Sequence, residues 1–323
     1  MRTLRRVVGD AELWAVVKAD GYGHGALDVA LVALEEGAGA LCVATVAEAL
    51  PLRGALPGAR ILVMGPTSDL RQAREARLEV AVVDRPIPEG LPVHLKLDTG
   101  MGRWGFSELP AVTRDVVGLM THFASADCHP DFTRLQIERF RAATDVLSGL
   151  TRHAANSAAA LRFPEVRFDA VRAGIALYGL SPFGGDPEDD GLEPVLAWRS
   201  HLAQVRRLAP GGSTGYGRRF VAERETWIGI VPVGYADGFR RDMTGTEVLV
   251  DGERRRVVGT VSMDAVAVEL PGEVAVGTIV TLVGDGLRLE GHARVAGTIN
   301  YELACGIGGA AAATRSVRRV LDA

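Results

Sequence analysis

Lysine is almost missing from this chain. Of 36 basic residues only Lys18 and Lys96 are lysines, and the rest are arginines. Wherever a positive charge alone suffices, the sequence uses arginine. A guanidinium stays protonated and resonance-stabilised and cannot condense with an aldehyde, whereas an amine can once it loses its proton. The two lysines are therefore candidates for amine chemistry, set against the plain alternative that they survive by chance in an arginine-biased composition. Cysteine is scarce as well. Cys42, Cys128 and Cys305 are far apart and odd in number, which argues against a disulfide framework or a zinc cluster and for a reducing cytoplasm. No run of about 18 uninterrupted apolar residues occurs, so no transmembrane helix is expected. The basic start MRTLRRVVGDAEL is not followed by a signal-peptide core. With a net charge of −4, composition gives no reason to expect nucleic acid or an anionic membrane as partner. What remains is ordinary for a globular protein: 323 residues, 47% hydrophobic and 24% charged, enough for a large domain or two.

Up to about residue 190 short apolar runs alternate with helix-like stretches. The runs are LWAVVK, GALCVA, RILVMG, LEVAVV, PVHLKLD, VVGLMTHF and VRAGIALYG. Among the helix-like stretches, DVALVALEEG and FTRLQIERFRAATDVLSGL carry apolar residues at three- and four-residue spacing. Alternation at this density implies a parallel sheet covered by helices, and its repetition suits an α/β fold of the (β/α)8 TIM-like barrel type. Lys18, Asp98, His122 and Arg172 stand where runs end, and in a barrel the carboxyl ends of the strands form the catalytic face. The acidic, Gly- and Pro-rich GGDPEDDGLEP near residues 184–194 reads as a linker. Beyond it, HLAQVRRL, TWIGIVPVG, TEVLVDG, RRRVVGTVS, AVAVEL and TIVTLVG read as strands between turn signals. The expected organisation is a barrel over residues 1–191 and a C-terminal mainly-β domain over 192–323.

The segment AVVKADGYGHGA places Lys18 at the close of an apolar strand, before a glycine-rich turn that also carries Tyr22 and His24. An amine fixed on a rigid element, facing a cleft and partly desolvated, has the setting that imine formation needs. By itself the segment reads equally well as a strand-end lysine in solvent.

VVKADGYGHGA resembles the attachment motif for pyridoxal 5′-phosphate (PLP) in the alanine racemase family. The resemblance continues in order through LKLDTGMGRWGF, THFASAD, NSAAAL, VRAGIALYGL, GYGRRF, VPVGYADG, VGTVSMD and INYE, across residues 15–302. It implies a PLP-binding barrel followed by a β domain, in a head-to-tail homodimer whose two active sites each take residues from both subunits. By position, Lys18 would hold PLP and act as one acid–base group. Tyr216 of the partner subunit would be the other. Racemisation needs such a pair, one group on each face of Cα, and a free phenol, with a pKa of about 10, needs help from its surroundings near neutral pH. The resemblance offers His122 and Arg172 as a relay behind Tyr216, with Arg172 facing the pyridine nitrogen. Ser157, the backbone at Gly174 and Ile175, and the hydroxyls of Tyr22 and Tyr301 would hold the phosphate. Arg103 and the backbone of Met263 would bind the substrate carboxylate. Lys96 matches a lysine that many members carry as a carbamate, an anion able to orient Arg103. Asp127, Tyr235, Arg241 and Tyr301 would line the entry channel. Only Tyr178 of the five tyrosines is left for packing.

Two departures accompany the match. The family begins with a further strand and helix before the lysine strand, whereas only seventeen residues precede Lys18 and no such strand is evident. The alanine-rich CGIGGAAAATRSVRRVL end is also looser than the family pattern. The implied activity is interconversion of L- and D-alanine in the cytoplasm, supplying D-alanine for peptidoglycan. The alternatives are a racemase of serine or of broad specificity, and a non-catalytic PLP-binding homeostasis protein, although barrels of that last kind lack the second domain.

Overall fold

The computed structural model describes residues 1–84 and 86–307, so the alanine-rich end beyond residue 307 lies outside the described residues. The chain divides into two compact units, Met1–Leu192 and Glu193–Ala323. In the first, eight short strands close a parallel barrel in chain order: β1 (Glu12–Val16), β2 (Ala40–Val43), β3 (Ile61–Val63), β4 (Glu79–Val82), β5 (Val93–Lys96), β6 (Val116–Met120), β7 (Thr151–His153) and β8 (Ala170–Ala173). Closure comes from β1 pairing with both neighbours, Ala15 opposite Leu41 on β2 and Ala173 on β8. Most of these strands are buried on both faces, which is why they read as near-continuous apolar runs. The strand missing from the reading is β7. It has only three residues, and all of them are polar. Arg152 turns to Asp145 at 2.7 Å, while His153 is fully buried.

Helices cover the barrel. The helix Pro130–Thr144 starts with proline at its first position, where the missing N–H has no helical acceptor anyway. It buries Thr133, Gln136, Ile137, Phe140 and Thr144, one stripe at three- and four-residue spacing. The reading carried this helix to residue 150; it ends at Thr144 because the next apolar residue, Val146, is 85% exposed and gives no packing to continue it. Helices Val46–Ala55 and Leu70–Glu75 fill the expected alternation between β2, β3 and β4, whereas the helix Arg2–Val8 is not indicated by the sequence pattern. Arg2–Val8 precedes β1, and no strand stands before it among the described residues. The acidic 184–194 stretch is less loose than a linker. It holds a 3-10 turn, Pro187–Asp190, and Gly191 O accepts from Thr3 Oγ1 at 2.9 Å.

The second unit is mainly antiparallel sheet, made from β9 (Trp198–His201), β10 (Gln204–Leu208), β11 (Ser213–Thr214), β12 (Phe220–Val221), β13 (Thr226–Val231), β14 (Glu247–Val250), β15 (Glu253–Val258), β16 (Val266–Leu270) and β17 (Ile279–Val283). Seven of them form one sheet in the order β10-β13-β16-β15-β14-β17-β9, and β11 pairs with β12. The run HLAQVRRL, read as one strand, divides between β9 and β10. Ile228, Val258 and Ala267 form a core against which Leu208, Phe220 and Ile230 pack. Two short helices, Leu289–Ala296 and Asn300–Gly306, follow. No described helix is long and apolar enough to cross a membrane.

Candidate active site

Lys18 follows β1 at its carboxyl end and is half-buried. The next residues wind the wrong way. Ala19 (φ 53°, ψ 51°), Asp20 (φ 50°, ψ 48°), Gly21 (φ 61°, ψ 44°) and Tyr22 (φ 52°) make a left-handed helical turn. That conformation costs an L-residue roughly 1–2 kcal/mol at each position, so it persists only where its surroundings fix it. Here Glu48 accepts from Ala19 N at 2.8 Å and Asp20 Oδ1 accepts from Ala26 N at 2.8 Å. The other oxygen of Glu48 accepts from Ala44 N at 2.7 Å and Thr45 N at 3.2 Å, closing a capping box on Val46–Ala55. The carboxylate that starts this helix thus also pins the turn after the lysine.

Lys96 is the last residue of β5 and is buried. Burial first, then the charges of Arg103 and Arg172 with a smaller contribution from Lys18, push its ammonium down to about 8. The Trp104 ring lies 5.1 Å from its Nζ and 4.8 Å from the Arg103 guanidinium carbon. Arg103 itself is exposed on a loop organised by Asp98. That carboxylate accepts from the N–H groups of Gly100, Met101 and Gly102 at 2.8–3.1 Å. Burial opposes its ionisation, but these bonds outweigh it and hold the carboxyl below the usual range.

Arg172, on β8, is buried in the barrel without a carboxylate in contact among the described ion pairs. Its donors are met by neutral acceptors instead: Thr121 O (2.8 Å), His153 O (2.7 Å), Ala154 O (3.1 Å), His153 Nδ1 (2.7 Å) and His122 Nδ1 (3.3 Å). Burial lowers the guanidinium to about 10, which still leaves it charged at neutral pH. His122, just beyond β6, is driven well below its ordinary value by burial and then by Arg172, Lys96, Arg103 and Lys18. Its imidazole is therefore neutral. The cause is also a map, because four cations converge at the carboxyl ends of β1, β5 and β8.

Beside them, Asn156 caps the helix Ser157–Arg162 through Ala159 N. This leaves the buried Ser157 hydroxyl to accept from Gly174 N at 3.0 Å and Ala176 N at 3.3 Å. Ile175 opens the 3-10 turn Ile175–Tyr178, whose first N–H groups have no acceptor within the turn. The Tyr22 ring lies tilted, 5.0 Å between centroids, against Tyr178, which is buried and donates to Val16 O at 2.8 Å. His24 lies on the same ring at 4.6 Å. Asp127 is exposed, and its backbone carbonyl accepts from Arg162.

The remaining expected residues belong to the second unit, where they gather on one surface. Thr260 Oγ1 donates to Tyr216 O at 2.8 Å. Tyr235 N donates to Ser262 O and Ala236 N to Met263 O, each at 3.0 Å. Thr244 Oγ1 donates to both Arg241 O and Gly259 O. GYGRRF, GYADG and VSMD are thereby joined through their backbones, while their side chains face outward: Tyr216 is 73%, Met263 53% and Tyr235 42% exposed. Tyr301 is half-buried in the helix Asn300–Gly306.

Sequence reasoning missed four residues that shape the barrel site: Glu48, Glu79, His94 and His153. His94 and Lys96 stand two apart on β5, so a signal existed: polar residues at alternate positions of an otherwise apolar strand point into the barrel.

A closed parallel barrel bearing amines and guanidiniums at the carboxyl ends of its strands, followed by a separate antiparallel-sheet unit, defines a barrel enzyme with a mainly-β second domain. Residues 1–182 match the family model for the alanine racemase N-terminal domain and residues 195–315 that for its C-terminal domain. An alanine racemase of Lactiplantibacillus plantarum is 44% identical, covering 92% of this chain and 88% of its own length. One from Geobacillus stearothermophilus is 39% identical over 95% of this chain and 88% of its own. The solved structure of the biosynthetic alanine racemase from Pseudomonas aeruginosa superposes with a TM-score of 0.87 at 37% identity, over 95% of this chain and 93% of the other. The chain belongs to the alanine racemase family, and is an isomerase of the amino-acid racemase type.

Proposed function

We propose that this protein is a PLP-dependent alanine racemase, working as a homodimer in the cytoplasm and interconverting L- and D-alanine for peptidoglycan synthesis. The observation that carries the reading is the convergence of Lys18, Lys96, Arg103 and Arg172 on one neutral imidazole, His122. A nearby carboxylate, Asp98, is spent on backbone N–H groups. Such a site suits a ligand with several negative charges, and the amine at the strand end suits an aldehyde. The residues present fit PLP. A Cβ on Gly174 would lie 2.6 Å from Tyr22 Oη, so bare backbone and a phenol meet there beside the Ser157 hydroxyl, as a phosphate requires.

Ser157, Gly174, Ile175, Tyr22 and Tyr301 would hold the phosphate, Lys18 the aldehyde carbon and Arg172 the ring nitrogen. When bound, the group supplies an electron-withdrawing ring that acidifies the substrate Cα–H. Arg172 donates all its bonds and offers no carboxyl proton to the ring nitrogen. Arg103, with the Met263 backbone of the partner subunit, orients the substrate carboxylate. Lys18 moves a proton on one face of Cα, and Tyr216 of the partner subunit moves one on the other, with His122 behind it. Lys96, neutral above about 8, is able to add carbon dioxide: its lone pair forms the N–C bond, one proton leaves, and the resulting anion pairs with Arg103. Asp127, Tyr235 and Arg241 border the entrance.

The test is purification with PLP, borohydride treatment and peptide mapping, alongside exchange of the Cα proton of L-alanine in deuterated water. The reading expects a yellow protein, label fixed on Lys18 and both enantiomers exchanging. A colourless protein saturated with PLP, or a coloured one that leaves alanine unexchanged, contradicts it.

A further inference from the structure

Behind Arg172 a row of buried polar groups runs through the barrel away from Lys18. Arg172 Nη1 meets His153 Nδ1 at 2.7 Å, His153 Nε2 meets His94 Nδ1 at 2.8 Å, and His94 Nε2 meets Glu79 Oε2 at 2.8 Å. Both imidazoles are fully buried. Glu79 is the first residue of β4, at the end of the barrel opposite Lys18, and Arg60 Nε donates to its other oxygen at 2.7 Å. Trp14 walls the row, its ring 4.5 Å from His153 and 5.8 Å from His94. Gly118 of β6 leaves space for it: a Cβ there would lie 2.1 Å from His94 Nδ1.

The proton positions in this row follow from its two ends. A guanidinium only donates and a carboxylate only accepts. Each imidazole between them must therefore accept once and donate once, which fixes both as neutral Nε2–H tautomers. Burial lowers both imidazoles, and bonds from His94 and Arg60 hold Glu79 ionised against the burial that opposes it. Reversing His153 would set its Nδ1–H against an N–H of Arg172 at 2.7 Å, and reversing His94 alone would set its Nδ1–H against the Nε2–H of His153 at 2.8 Å.

We propose that Glu79 is a positioning residue for Arg172: by accepting the hydrogen bond from His94 Nε2–H it fixes both imidazoles as Nε2–H tautomers and so keeps a lone pair facing the guanidinium. This rests on the reading that Arg172 serves the cofactor's ring nitrogen, but the proton pattern is a property of the chain alone. Glu79 touches neither substrate nor cofactor. It acts through two histidines, and Arg172 is presented as a fixed, charged donor without a carboxylate beside it among the described residues.

The experiment is long-range proton–nitrogen NMR on 15N-histidine-labelled, cofactor-free protein, with wild type, Glu79→Gln and Glu79→Leu compared. In wild type two imidazoles should show the neutral Nε2–H pattern, unchanged from about pH 5.5 to 9, the range across which an ordinary exposed histidine titrates. Glu79→Gln keeps an acceptor oxygen for His94 and should preserve the pattern. Glu79→Leu removes it and should give averaged or reversed tautomers at His94 and His153. In the PLP-loaded enzyme, Leu should lower kcat by about 10-fold, as outer-shell changes do, while Gln stays within about threefold of wild type and KM for alanine stays near wild type in both. An Nδ1–H tautomer or an imidazolium at either position in wild type overturns the proposal with no variant needed. Unchanged tautomers in a folded Glu79→Leu protein overturn it as well. If the tautomers behave as expected but Lys18 takes up no PLP, the functional reading fails and the row stands.

Discussion

The two halves of the proposed site are built differently. In the barrel, Arg172 has five hydrogen-bond acceptors, Asp98 is held by three backbone N–H groups, and the strained turn after Lys18 is pinned by Glu48. In the second unit, Tyr216, Tyr235 and Met263 are tied through their backbones among the described residues, and their side chains face outward. The first half is organised within one chain. The second has its loops in place and its side chains uncovered, as expected of a surface whose ligand and neighbours come from another subunit. Preorganisation on one side and presentation on the other is the division of labour that a shared active site requires.

Variants in the barrel break the comparison most sharply. Lys18→Ala should lower racemisation by about 10^4-fold or more, since it removes both the attachment point and one of the two proton-transfer groups. Lys18→Arg should fare no better despite keeping the charge. The check is alanine turnover together with loss of borohydride-fixed label. In the second unit Tyr216→Phe should lower kcat by about 10^2- to 10^4-fold while leaving cofactor uptake and thermal stability near wild type, because the ring is exposed and the residue is held among the described residues through its backbone carbonyl.

Smaller effects sharpen the contrast. Glu48→Ala removes the acceptor that pins Ala19 N and should destabilise the protein by about 1–3 kcal/mol, with kcat falling and KM for alanine little changed. Denaturant unfolding and steady-state kinetics check it. Lys96 should react with amine reagents with a midpoint near pH 8, as its lowered ammonium value requires; mass spectrometry after pulse labelling reads this. The stability sign follows from the same shift. The folded value lies below the unfolded one of 10.5, so the unfolded chain binds more protons between the two, and this group adds stability as pH rises from about 8 to 10.5. Below that window the buried charge is a standing cost.

How much of this was legible depended on burial. Seven barrel strands could be read because strands covered on both faces are mostly apolar. β7 could not, since Arg152 leaves the barrel to meet Asp145 and His153 enters it to meet Arg172, so the strand shows no apolar pattern. Both lysines were visible by their scarcity. The left-handed turn was only half visible: Gly21 announces it, but Ala19, Asp20 and Tyr22 do so only once Glu48, 29 residues beyond Ala19, is brought beside them. His94 was hidden by the alternation that marks it, because a polar residue at every second position of a strand normally faces water. Here that face is the inside of a barrel.

The most direct measurement is subunit complementation. Lys18→Ala and Tyr216→Phe chains, each inactive alone, are co-expressed with different tags and the mixed dimers assayed. If each site takes Lys18 from one chain and Tyr216 from its partner, a mixed dimer contains one wild-type site and one doubly defective site. Isolated mixed dimers should then show about half of wild-type activity, and the randomly mixed population about a quarter. Mixed dimers that stay inactive would place both groups in the same chain and contradict the account.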